Sequence, residues 1–103
     1  MSVNLEKYDE QLNEMIDYRI TNIGKTIRQI IPDYNQAILK NPPFNSPHEG
    51  WAVLKQGVDQ LWEEVKKNKN SRSIESMRKE ATFIGATVMR FLIELCSEEN
   101  QNR

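Results

Sequence analysis

The chain has 103 residues, of which 38% are hydrophobic and 28% charged, with a net charge of −1. That leaves room for one domain with one modest core, and the composition is too apolar for wholesale disorder. A near-neutral balance gives no electrostatic reason to expect DNA, RNA or an anionic membrane as a generic partner, and no apolar run approaches the roughly 20 residues that span a bilayer.

The N-terminal residues 1–10 are polar and carry no signal-peptide pattern. The single cysteine, Cys96, excludes an internal disulfide and a cysteine metal cluster. The expectation is a cytoplasmic protein of a bacterium, or of something that replicates in one.

The first predicted element is a helix over 4–31. Leu5, Tyr8, Leu12, Met15, Ile16, Ile20, Ile23, Ile27, Ile30 and Ile31 recur at steps of three and four, which puts them on one stripe. Gly24 costs roughly 1 kcal/mol against Ala inside this helix, so a bend or a close crossing is expected there. Pro32 is expected to end the helix or to open a short second one over 33–40.

Pro42 and Pro43 mark 41–46 as a loop. Ser46 is a good N-cap, Pro47 suits the first helical position, and Glu49 completes a capping box. The helix that follows is predicted to about residue 67, with Trp51, Leu54, Val58, Leu61, Trp62 and Val65 on its buried stripe. Residues 68–73 read as a polar linker. A last helix over 74–97 buries Met77, Ala81, Ile84, Val88, Phe91, Leu92 and Leu95, and 98–103 is a polar tail.

No β-type alternation and no repeat occur. The expected fold is all-α, a four-helix bundle in a single domain over 1–97. The long stripe on the first helix predicts a homodimer or higher homo-oligomer in which subunits complete each other's core.

The motifs Pro43-Phe44-Asn45-Ser46, His48-Glu49-Gly50-Trp51-Ala52-Val53-Leu54, Asp59, Leu61-Trp62 and Glu64-Val65 are followed by Met77-Arg78-Lys79-Glu80-Ala81 and Arg90-Phe91. In that order and spacing, the stretch 43–95 resembles the small stand-alone branch of the MazG-like, all-α nucleoside triphosphate pyrophosphatases. The resemblance implies a phage or prophage origin. It also implies Mg²⁺-assisted hydrolysis between the α- and β-phosphates of a nucleotide. Such a site needs several carboxylates on facing helices, because Mg²⁺ takes hard oxygen ligands in near-octahedral geometry. The family supplies E-x-x-E on one helix and E-x-x-D on the next, and residues three apart share a helical face.

Here the corresponding positions are Gly57 and Gln60, then Glu80 and Phe83, so three of four expected ligands are not acidic. Shifting the register to Gln56 and Asp59 still supplies only one carboxylate. Glu64 and Glu80 are the residual metal or catalytic candidates. The expected activity is therefore binding without cleavage: a nucleotide or nucleotide-derived signal held between the faces 57–64 and 80–87, with no resident cofactor. In a phage setting, sequestering a host signal or blocking a host defence protein are natural uses. An active Mg²⁺-dependent hydrolase built on Glu49, Glu64 and Glu80 is one alternative, and a protein–protein module without a small ligand is the other.

The ligand-binding candidates are Gly57, Gln60, Phe83, Thr87, Arg78 and Lys79. Gly57 reads either as drift after a lost glutamate or as close approach of a ligand or backbone. Phe83 reads either as core filling or as a stacking platform for a base. His48 reads as a capping or packing residue, and Trp51 and Trp62 as core. Lys66, Lys67, Lys69 and Arg72 suit the C-terminal end of a helix, with a phosphate-binding role as the sharper alternative. Glu63 is expected on a solvated face.

Overall fold

The computed structural model describes residues 5–97, which form three α-helices: α1 (Leu5–Lys40), α2 (Pro47–Val65) and α3 (Ile74–Leu95). The expected start of the first helix at Asn4 and the tail 98–103 lie outside the described residues.

Three helices stand where four were expected, because α1 runs unbroken through Pro32 for 36 residues. Proline fixes φ near a helical value, so its cost here is the missing N–H and the crowding of the Arg28 carbonyl. The turns beyond it are held by one tertiary contact and a local cap. The Thr82 hydroxyl lies 2.7 Å from the Asp33 carboxylate, and the Asn41 backbone and side-chain N–H groups both donate to the Ala37 carbonyl at the helix end. Among the described residues nothing crosses α1 at Gly24: a Cβ there would meet only the Arg28 guanidinium.

The start of α2 follows its sequence signal. The Ser46 hydroxyl accepts from the Glu49 N–H at 3.2 Å, and the Glu49 carboxylate accepts from the Asn45 N–H at 3.2 Å. Ser73 caps α3 in the same way, accepting from the Ser76 N–H. In the linker, the Arg72 guanidinium donates to the carbonyls of Val65 and Lys67, satisfying the end of α2.

Helix α3 is central, with α1 and α2 packed along different sides of it. Glycines sit at the crossings: a Cβ on Gly50 would stand 2.7 Å from the Phe91 ring, and one on Gly85 would stand 2.9 Å from Ile30. Phe44 and Ala86 are the buried hydrophobic residues among those described, each 2% exposed.

Phe44 is held by a buried network. Its N–H donates to Glu94 at 2.7 Å, and its ring lies 3.9 Å beneath the Arg90 guanidinium. Arg90 also donates to Glu94 and to the Pro42 carbonyl. Every polar atom of this cluster that is buried has a partner, as a desolvated ion pair requires.

Several residues expected on buried stripes are exposed in the single chain: Trp51, Val58 and Trp62 of α2, and Ala81, Val88 and Leu92 of α3, with both tryptophans more than half exposed. Every described residue of α1 from Glu6 to Ile23 is exposed as well. The radius of gyration is 19.1 Å, against about 13 Å for a close-packed chain of this length. The helices form a single open layer, only 21 Å along its shortest axis.

Candidate functional site

On one side of the layer all three helices converge on a cavity of about 540 Å³. Helix α1 contributes Asp33, Gln36 and Lys40, with Asn41 at its end; α2 contributes Gln60; α3 contributes Lys79, Glu80 and Phe83. The extension of α1 past Pro32 supplies half of this lining. Three of the sequence candidates, Gln60, Lys79 and Phe83, meet here, together with the residual carboxylate Glu80.

The cavity is charged but balanced, with two lysines facing two carboxylates. Among the described residues neither Lys40 nor Lys79 forms an ion pair, so both ammonium groups are open to an anionic ligand. Asp33 is partly occupied by the Thr82 hydroxyl. Phe83 is 36% exposed: it presents part of its ring to the cavity and part to α2. Gln36, Asn41 and Gln60 offer amides, which both donate and accept.

The other candidates lie elsewhere. Gly57 is buried against α3: a Cβ there would stand 2.8 Å from Phe83 Cδ1 and 3.1 Å from Ile84 Cγ1. Its close approach is therefore to side chains of α3 and not to a ligand. Thr87 is 3% exposed and its hydroxyl donates to the Phe83 carbonyl one turn back, so it supports the helix and does not face the cavity. Arg78 pairs with Glu75 at 2.7 Å and lines a separate small hollow with Thr26, Gln29 and Thr82. Adjacent in sequence, Arg78 and Lys79 point to different sides of α3, as 100° per residue requires.

The carboxylates of the hydrolase alternative do not gather. Glu49 is spent on the start of α2, Glu64 pairs with Lys67 at 2.9 Å, and only Glu80 lines the cavity. In the shifted register, Asp59 pairs with Lys55 on the outer side of α2. Among the described residues no three His, Cys, Asp or Glu side chains form a set able to hold a metal ion. Lys40 and Lys79 further oppose a divalent cation beside Glu80 and Asp33. The residues present do not fit the Mg²⁺ site that the sequence resemblance implies.

Of the basic cluster, Lys66 and Lys67 pair with Glu63 and Glu64, and Arg72 caps α2. His48 borders a shallow apolar hollow with Pro47, Trp51 and Phe91. Sequence reasoning missed Asp33, Gln36, Lys40 and Asn41, because none belongs to a recognised motif and nothing local shows that the helix end after Pro32 packs beside Gln60 and Lys79. No helix is long and apolar enough to cross a membrane among the described residues. No protein-family model, no curated protein and no solved structure matches the chain.

Proposed function

We propose that this chain binds a nucleotide, or a small signal derived from one, in the three-helix cavity and without a metal ion. The observation that carries this reading is the convergence of Lys40, Lys79 and Phe83 on one hollow. Two ammonium groups suit a phosphate, and a partly exposed aromatic ring suits a base. The volume lies within the range of about 300–1,000 Å³ usual for small-ligand sites. The class of ligand rests on the MazG-like sequence pattern; the place rests on the cavity.

In this reading Lys40 and Lys79 take over the phosphate neutralisation that a metal performs in an acidic site. Asp33 and Glu80 accept hydrogen bonds from sugar hydroxyls or from amino groups of the base. Gln60, which stands at an expected ligand position, offers an amide in place of a carboxylate. The scaffold would then hold its ligand without cleaving it, which suits sequestration of a host signal by a phage-borne protein.

Titration calorimetry in EDTA against nucleoside mono-, di- and triphosphates tests the proposal. The expected result is saturable binding that Mg²⁺ does not strengthen and that Lys79→Ala weakens. Absence of heat and of thermal stabilisation across the panel would remove the nucleotide reading, since a ligand that binds only the native state raises its melting temperature.

A further inference from the structure

The charge of the three-helix cavity says more about its ligand than its volume does. Two ammonium groups, Lys40 and Lys79, stand against two carboxylates, Asp33 and Glu80, and no arginine lines the cavity. Cations close by in sequence are committed elsewhere. Arg78 pairs with Glu75 beside a different hollow, and Lys66 and Lys67 pair with Glu63 and Glu64.

The backbone lining works against phosphate. Helix α1 reaches the cavity through its C-terminal turns, at Gln36, Ala37 and Lys40, and the carbonyl end of a helix carries partial negative charge. Asn41 covers the Ala37 carbonyl with its backbone and side-chain N–H groups. The starts of α2 and α3, at Pro47 and Ile74, where free N–H groups would favour an anion, lie outside the lining.

Resting on the nucleotide reading above, we propose that the ligand carries a single phosphate monoester and that the cavity selects against di- and triphosphates. A monoester carries about −2 at neutral pH, which the two ammonium groups neutralise. Each further phosphate brings roughly one more negative charge toward Asp33, Glu80 and the carbonyl end of α1. The lining holds no third cationic side chain to meet it. A like charge about 6 Å away weakens binding about three- to tenfold at dielectric constants of about 80 to 40. Glu80 and Phe83 stand three apart on α3 and share a face. A base stacked on the ring therefore brings its amino group or sugar to Glu80 and leaves one phosphate for the lysines. The site departs in this from the triphosphate substrates that the sequence pattern implies.

Calorimetric titration of a charge series in EDTA tests this. For each common base the series runs from the nucleoside through the methyl ester of the 5′-monophosphate to the 5′-mono-, di- and triphosphates. Affinity should peak at the monophosphate and fall about three- to tenfold at the diphosphate. Glu80→Gln, which keeps the side chain's shape and removes one negative charge, should raise the ratio of diphosphate to monophosphate affinity by the same factor. Lys40→Gln should bring the monophosphate down toward its methyl ester. Affinity that climbs through to the triphosphate overturns the proposal while leaving nucleotide binding intact. A ratio that Glu80→Gln does not move also overturns it, because the cavity's charge would then not be the discriminating element. Absence of binding by every member of the series removes this proposal and the nucleotide reading together. If either variant fails to fold, the wild-type series alone decides.

Discussion

Phe83 touches α2 with one part of its ring and the cavity with another, so its two readings need not exclude each other. A stacked aromatic is worth roughly 1–3 kcal/mol per base, and Phe83→Ala should weaken nucleotide binding about 5- to 150-fold. The same change should lower stability by less than the roughly 3–5 kcal/mol of a fully buried phenylalanine, because the ring is 36% exposed. Melting and affinity measured on that one variant separate the roles: a destabilised protein whose folded fraction binds like wild type leaves Phe83 as packing alone. Gly57 makes a companion case. Alanine gains about 1 kcal/mol of helix propensity, yet its Cβ would press on Phe83 at 2.8 Å and Ile84 at 3.1 Å. Overpacking of this kind costs roughly 1–3 kcal/mol, so Gly57→Ala should lower the melting temperature; a rise would show that α2 and α3 are not in contact there.

Among the elements, the 41–46 loop is fixed by an ion pair and not by its prolines alone. Arg90 and Glu94 have side chains 6% and 11% exposed, and Glu94 also accepts the Phe44 N–H. Glu94→Ala would strand a buried guanidinium and orphan that donor, a loss of roughly 3–5 kcal/mol. Urea denaturation should show a collapse of the folded baseline, and a variant as stable as wild type would contradict the burial of the pair. Pro32 offers the opposite experiment. Pro32→Ala restores a donor toward the Arg28 carbonyl and removes a helix penalty of about 3 kcal/mol, offset in part by the looser unfolded chain. The melting temperature should rise; a fall would mean that the proline, not the Asp33–Thr82 contact, sets the course of α1.

For the molecule as a whole, the charge balance of the cavity bears on chemistry. With Glu49 and Glu64 committed elsewhere and lysines beside Glu80, the purified protein should release no pyrophosphate above background from standard NTPs or dNTPs with Mg²⁺ or Mn²⁺. Metal-dependent turnover that vanishes in Glu80→Ala would reverse the binding-only reading.

The helical class was legible from three- and four-residue spacing, and α2 announced its own start because Ser46, Pro47 and Glu49 act within one turn of each other. Local interactions of that range are written in local sequence. What covers each helix face is not, since periodicity ranks the faces of one helix without naming the neighbour opposite each. That is why Trp51 and Trp62 read as core yet stand exposed in the single chain, and why Gly57, Thr87 and Arg78, grouped by sequence with Gln60, Lys79 and Phe83, do not line the cavity those three share. Pro32 misled for a related reason. A helix breaker is a local penalty of a few kcal/mol, and tertiary contacts 49 residues apart in sequence, such as Thr82 with Asp33, decide whether the helix continues through it.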